Sequence, residues 1–545
     1  SNNVGHEIEL RVTPKSEAVE TLQSTSYYLP GTDDTTENID QQVSFRWSSW
    51  VTRISQLIHS AYKQSDTDAI THGNTEDCDT QQSLYEEAGK HAFAGGSHGE
   101  IWRAKRHCPT NTTNCDVGKE YIVKRLKIEY GYFILEAGLR EVYFGELLAR
   151  EVESTNLFTT YIDHFFREGN RGQLELWIVF ERAGPSLRSY MYTPVVDATG
   201  GFVVFQHSAF WRRLRRGIGE GTRRYHGHAH TLYQSGVDRD EALSVDVVRP
   251  QPRAMKKSEE GITGEFTDDD GDDVHQDEDQ GQDNEIIEGR MLLMEVLRHI
   301  LTSVAFLHER GIVHRDIKPS NIMCTTKPDT NNGIVTHKIS SVHCLLGDFS
   351  SAWDEYAGRN LYENRPSSKE QTDEYAPPEA LLQSEWTPSQ SYDSWSIGVV
   401  ALELLLGTPN VFSVDQRTTA ILTNRLRKEG ASPKDIQRAL YLAALAQFCI
   451  YVPTAAEGKS WPLRRGDPLH DVKIVKQKCT MRDFHNALRA RDVLGTGFDS
   501  SSDKLLHLIW RLLALDPMKR LSPSEALQHP YFSSLDHHTE TNKVN

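Results

Sequence analysis

Cysteine is scarce in this chain. Its seven copies, Cys78, Cys108, Cys115, Cys324, Cys344, Cys449 and Cys479, are scattered through 545 residues with no CxxC pair. That excludes a disulfide framework and a zinc ribbon as the basis of the fold, and a reducing compartment is expected. Long apolar runs are lacking as well. The longest, Ile397 to Leu406, is broken by Glu403 and is too short to span a bilayer, so no transmembrane segment is predicted. No charged-then-apolar leader opens the chain, and the sequon at Asn111 is read as unglycosylated. The first residue is Ser1 rather than Met, as expected of a piece of a longer chain or of one that has lost a targeting peptide. A cytoplasmic location is expected, with an organelle such as the chloroplast as the alternative. Basic charge is also in deficit: 60 Lys and Arg face 77 Asp and Glu, a net −17 that argues against nucleic acid as a partner. The deficit is local, because fourteen acids without a single Lys or Arg lie between Ser258 and Glu288 and leave only −3 for the rest.

What is present falls into blocks. At roughly 150 residues per domain the length corresponds to about three and a half domains. Residues 1–85 are rich in Ser, Thr, Asn, Asp and Gln and are expected to be mostly disordered. Within them Trp47, Trp50, Val51, Ile54, Leu57, Ile58, Ala61 and Tyr62 recur at three- and four-residue spacing, which predicts an amphipathic helix near 45–63. Arg46, Arg53 and Lys63 make it basic, suited to docking on the main domain or to meeting a partner or a membrane surface. Residues 193–289 read as a low-complexity insertion whose Arg-rich piece, Arg212 to Arg224, precedes the acidic run. The two pieces either pair, or recruit a basic substrate through the acids, or form a solvated loop. The acidic run is not an EF-hand, since Phe266 and Gln276 stand where its Asp is required, and His226, His228 and His230 read as polar-loop residues rather than metal ligands.

The chemistry-bearing motifs lie on either side of that insertion. Ala94-Gly95-Gly96-Ser97-His98-Gly99-Glu100-Ile101 suits two strands and a tight turn covering phosphates, because glycine lets backbone N–H groups come close. Tyr121 to Lys124 is a short strand ending in a cation. Leu135 to Arg150 reads as a helix on which Glu141 lies best to pair with Lys124, and Glu146 is the second choice because Gly145 stands where a large apolar brace is expected. An amphipathic helix through Leu292, Val296, Ile300 and Leu307 leads to His314-Arg315-Asp316-Ile317-Lys318-Pro319-Ser320-Asn321. Phosphoryl transfer to a hydroxyl needs a carboxylate for the proton, a cation for the phosphoryl group and an oxygen ligand for a metal; Asp316, Lys318 and Asn321 are of those three types. Gly347-Asp348-Phe349-Ser350 adds a second carboxylate at the end of strand Val342 to Leu346. Downstream come Tyr375 to Glu379, an apolar helix opened by Asp393, and Arg520, which is placed to pair with Glu379.

In this order the motifs resemble the eukaryotic protein kinase family, serine/threonine branch, over about 340 of the 545 residues from Ala94 to Phe532. The resemblance implies an α+β, two-lobed fold: a small lobe and hinge over 86–192, with an antiparallel sheet and one helix, and a larger, mainly helical lobe over 290–533, followed by a tail, 534–545. It implies ATP and magnesium as cofactors, a protein substrate, and Asp316, Lys318, Lys124 and Glu141 as catalytic residues. The implied nucleotide site comprises Gly95, Gly96, Ser97, Gly99, Ile101, Ile122, Lys124, the bulky Phe180, the hinge residues Glu181 and Ala183, and Asn321 and Asp348, the last two holding metal. Ala94, Ile122 and Ser350 depart from the family pattern without removing a charged group. More narrowly, Phe349 to Tyr356, Glu370 to Glu379 and Gly407 to Phe412 resemble the kinase part of plant and algal proteins that pair a kinase with a type 2C protein phosphatase domain. Arg315 beside the catalytic Asp suggests control by phosphorylation at Ser367 or Ser368. A nucleotide-binding pseudokinase acting as a scaffold is the alternative function.

Overall fold

The computed structural model describes residues 85–218, 275–451 and 479–533, apart from short breaks and the segment 107–118. The helix expected near 45–63, Ser97, Ser367, Ser368, the three alternating histidines and most of the acidic run lie outside the described residues.

The small lobe is built on β1 (Tyr85–Glu87), β2 (Ala94–Gly96), β3 (Gly99–Arg106), β4 (Glu120–Lys127), β5 (Tyr161–Glu168) and β6 (Leu174–Glu181), with helix α1 (Tyr132–Ala149) between β4 and β5. All pairings are antiparallel, in the order β1-β3-β4-β6-β5, with β2 folded onto β3. Alternation divides the sheet's side chains. Ala104, Tyr121, Val123, Trp177 and Val179 form a small cluster on one face, while Leu126, Leu176 and Ile178 on the other join the main core beneath α1. That helix buries Ile134, Leu135, Leu139, Val142 and Phe144 against them.

Beyond β6 the structure differs from the expected insertion. Residues 192–196 and 203–218 are folded: after α2 (Leu187–Met191), β7 (Tyr192–Val196) pairs antiparallel with β8 (Val203–His207), which leads into α3 (Ala209–Arg216). Glycine and aromatic residues give the segment a low-complexity look, yet Trp211 is fully buried and donates its indole N–H to the Leu404 carbonyl at 2.8 Å. Helix α4 (His275–Glu309) likewise begins inside the acidic run, and Glu288 lies 3.4 Å from Arg213 of α3, an ion pair between the two oppositely charged pieces. Arg215 turns inward instead, pairing with Asp492 at 3.0 Å.

By length and composition, Ile286–Glu309 is the one stretch among the described residues that could cross a membrane, but 72% of its apolar window is buried inside the protein. It is the central helix of the large lobe. From it the chain enters the loop that carries Asp316, then the ribbon β9 (Ile322–Asn331) and β10 (Ile334–Leu346), the short α5 (Glu355–Asn360) and α6 (Pro378–Leu382), and α7 (Ser391–Leu406), which is buried along nearly its whole length. The stretch 411–504, to which the sequence assigns no role, contributes α8 (Gln416–Lys428), α9 (Pro433–Gln447) and α10 (Met481–Arg489) to this lobe.

Two disulfides lie among the described residues. Cys324 is bonded to Cys344 and Cys449 to Cys479. The antiparallel register of β9 and β10 sets Cys324 directly opposite Cys344, a proximity that spacing along the chain does not reveal.

Candidate active site

Lys124 lies in the middle of β4, opposite Ile101 of β3 and Ile178 of β6, so its side chain shares a face with theirs. By the same alternation Ile122, paired with Phe180, also lies on that face. Ile101, Ile122 and Phe180 are each half-buried, and Phe180 packs edge-on against Tyr161 at 6.2 Å. Gly96 pairs with Gly99 where β2 turns into β3. A Cβ on Gly99 would stand 2.3 Å from the Arg125 carbonyl oxygen, so only glycine allows the start of β3 to lie this close to β4. Gly95 lies in β2, opposite Glu100. Glu181 ends β6, ion-paired with Lys119 at 2.9 Å, and Ala183 follows in the strap between the lobes.

The Lys124 ammonium lies 2.8 Å from Glu141 and 3.0 Å from Asp348. Burial by itself would lower the lysine's pKa, but Asp348 and Glu141 outweigh it and hold the ammonium above its ordinary range. Burial also opposes ionisation of Asp348, yet Lys124, Lys318 and the Ser350 hydroxyl hold its carboxyl below the usual carboxylate range. Glu141 is pushed up to about 7 by burial, against the pull of Lys124. Glu146 faces elsewhere, 3.7 Å from His164. The missing brace at Gly145 is supplied from the sheet: a Cβ there would meet the Tyr161 ring at 2.8 Å, so an aromatic on β5 occupies the space that a large side chain on the helix would need.

The second cluster lies across the cleft. Asp316 accepts from Thr372 Oγ1 at 2.7 Å and from Asn321 Nδ2 at 2.9 Å, and it is ion-paired with Lys318 at 3.0 Å. Lys318 also donates to Thr372 Oγ1 at 2.8 Å, which closes a ring through Asp316, Lys318 and Thr372. Tight backbone geometry holds them there. Arg315 and Asp348 both adopt left-handed φ, 67° and 62°. Asp393, fully buried at the start of α7, accepts the N–H groups of His314 and Arg315 at 2.8 and 2.9 Å. The His314 ring meets the Gly347 carbonyl at 3.1 Å and the Gly347 N–H donates to the Asn321 carbonyl at 2.9 Å, joining the loop of Asp316 to that of Asp348. Deeper in the lobe Arg520 grips both oxygens of Glu379, at 2.5 and 2.8 Å, the pairing expected from the sequence.

Sequence reasoning missed several of these supports. Asp393 appears there only as the opening of an apolar helix. Arg140, which donates to the Ser350 carbonyl at 2.7 Å and lies 4.0 Å over the Tyr362 ring, is not singled out at all, although a charged residue inside an otherwise apolar helix face is a usable signal. Asn321 and Asp348 offer an amide and a carboxylate, a set of oxygen donors that fits magnesium, which takes one or two carboxylates together with substrate phosphates.

A small antiparallel sheet with one helix, set over a helical lobe and with a lysine–carboxylate pair facing an aspartate–lysine–asparagine loop, is the two-lobed α+β protein kinase fold. Residues 278–532 match the family model described as the protein kinase domain. Over 267 residues it is 34% identical to a protein of Arabidopsis thaliana named "Probable inactive protein kinase", covering 45% of this chain and 66% of the relative. The serine/threonine-protein kinase AFC3 of the same plant is 28% identical over 241 residues, 43% of this chain and 55% of that protein. Doa, a serine/threonine-protein kinase of Drosophila melanogaster, is 27% identical over 251 residues, 44% of this chain and 26% of its own length. The chain thus spans less than two thirds of the length of each of these relatives.

Proposed function

We propose that this chain is an ATP-dependent serine/threonine protein kinase that transfers the γ-phosphoryl group to a protein hydroxyl. The observation that carries the reading is the complete hydrogen-bonded set around Asp316, with Lys318, Thr372 and Asn321 in place and Lys124 paired to both Glu141 and Asp348. Asp316 orients the substrate hydroxyl and takes its proton, and Lys318 neutralises charge on the transferring group. Lys124, oriented by Glu141, contacts the nucleotide phosphates, while the glycine turn covers them. Asn321 and Asp348 would hold magnesium, which when bound neutralises charge on the phosphate oxygens. Phe180 narrows the back of the nucleotide site and the Glu181–Ala183 backbone meets the base. The resemblance of Phe349 to Tyr356 and of Glu370 to Glu379 supports kinship with plant and algal kinases joined to a type 2C phosphatase.

A second reading has one observation in its favour: an Arabidopsis relative bears the name "Probable inactive protein kinase". A nucleotide-binding pseudokinase would keep the fold and bind ATP without transfer. The test is transfer of labelled γ-phosphate from Mg-ATP to the chain itself and to a basic protein substrate, with Asp316→Asn alongside. Loss of roughly a hundredfold or more in the variant, with nucleotide binding by thermal shift unchanged, is expected, since proton handling at the hydroxyl is a general-base role. ATP binding with no transfer by the unaltered chain would establish the pseudokinase reading instead.

A further inference from the structure

The segment from Asp348 to Glu379 carries the substrate-side residue Thr372, and in the sequence it looks like a candidate for ordering by phosphate on Ser367 or Ser368. Arg315, the cation expected to receive that phosphate, is already engaged. Its side chain has no exposed surface. It donates to the Ser351 carbonyl at 3.0 Å and to the Tyr362 hydroxyl at 2.9 Å, and the Glu370 carboxylate lies 3.5 Å away. The negative charge that a phosphoserine would bring is supplied here by a carboxylate of the segment itself.

Tyr362 is the centre of this arrangement. Its hydroxyl accepts from Arg315 and faces the Ser351 and Ala352 carbonyls at 3.1 and 3.0 Å. Burial keeps the phenol protonated against the pull of Arg315, so it remains a donor to those carbonyls. Over its ring, 4.0 Å from the centroid, lies the guanidinium of Arg140, which comes from the small lobe and is fully buried. Arg140 donates to the Ser350 carbonyl at 2.7 Å and to the Leu361 carbonyl at 3.1 Å, tying both ends of the stretch around α5 to α1. Ser350 in turn donates its hydroxyl to Asp348 at 2.7 Å, Asp348 holds Lys124, and Lys124 holds Glu141, the neighbour of Arg140. The contacts form a closed circuit through both lobes.

We propose that Tyr362, gripped by Arg140 and Arg315, is a positioning residue that holds residues 348–362, together with Glu370 and Thr372, in their transfer-competent arrangement without phosphorylation. This rests on the phosphoryl-transfer reading above, and its test is chosen to separate the two. The full chain is stripped of phosphate with a broad-specificity protein phosphatase, checked by intact mass, and assayed at once with Mg-ATP. Tyr362→Phe, Tyr362→Leu and the double variant Ser367→Ala/Ser368→Ala are assayed beside it, and amide hydrogen exchange is followed over residues 348–362 in every form.

The phosphate-free chain is expected to transfer without a lag, and the double serine variant to match it within about twofold. Tyr362→Phe should lower kcat by about tenfold with KM for ATP little changed, the loss expected from one charge-assisted hydrogen bond. It should also speed exchange over 348–362 while leaving the melting temperature within a few degrees. A phosphate-free chain more than about tenfold slower, restored when phosphate enters Ser367 or Ser368, would overturn the proposal. So would a Tyr362→Phe chain indistinguishable from the parent in both kcat and exchange. Should no form transfer phosphate, the transfer reading fails by itself and exchange decides the clamp: protection lost in Tyr362→Leu supports it, and unchanged exchange refutes it.

Discussion

Glu403 is a carboxyl set in the middle of an apolar helix, where it accepts from Tyr192 OH at 3.0 Å and Tyr375 OH at 2.5 Å. Burial pushes it up to about 7, with the two phenols opposing. A folded-state pKa above the unfolded value means that the native state binds the extra proton between the two. Stability is therefore greatest below the unfolded pKa of about 4.3 and falls as pH rises towards 7. Glu403→Gln, which keeps the hydrogen-bonding shape without the charge, should remove that slope. The melting temperature of the parent relative to the variant is expected to decline between pH 4.5 and 7, and parallel curves would contradict this assignment. At this scale the sequence is most legible where chemistry demands a residue type. Asp316, Lys318, Asn321, Lys124 and Asp348 stand out because few side chains can take their places. Asp393 and Arg140 stand out less, since each acts by touching backbone or rings more than seventy residues away, and no local feature names those partners.

Among the elements, α1 and β5 illustrate a compensation visible only in three dimensions. Gly145 leaves a gap on the helix and the Tyr161 ring fills it from the sheet. Gly145→Leu should therefore overpack the site, costing about 1–3 kcal/mol of stability and weakening the approach of Glu141 to Lys124. Combining it with Tyr161→Leu should recover much of the loss, as measured by denaturant unfolding. If Gly145→Leu alone proved neutral, the ring would not be the brace. Periodicity alone locates α1, α4 and α7, as their long apolar faces allow. It does not locate β7, β8 and α3, because two five-residue strands on either side of a glycine-containing sequence look like a loop until Trp211 and His207 are seen against the end of α7. There tertiary packing overrides local composition.

For the whole molecule, the Cys449–Cys479 bond joins the end of α9 to the entry of α10 across 30 residues. Chain-entropy arguments assign such a closure about 3–4 kcal/mol. Cys449→Ser/Cys479→Ser should accordingly lower the unfolding free energy of the oxidised protein by about that amount, read by urea denaturation, and leave the reduced protein unchanged. An equal effect in both would show that packing, rather than the bond, is responsible. Charged side chains tie the two lobes together: Lys124 to Asp348, and Arg140 to the Ser350 and Leu361 carbonyls. The sequence by itself determined the kinds of chemical group available, their order along the chain and the helices that bury them, because residue type and periodicity are local properties. Only the tertiary structure decided that Glu141 rather than Glu146 meets Lys124, that Cys324 faces Cys344, and that Arg315 is occupied by Tyr362 and Glu370. Those distances are set by strand register and by packing between segments far apart in the chain.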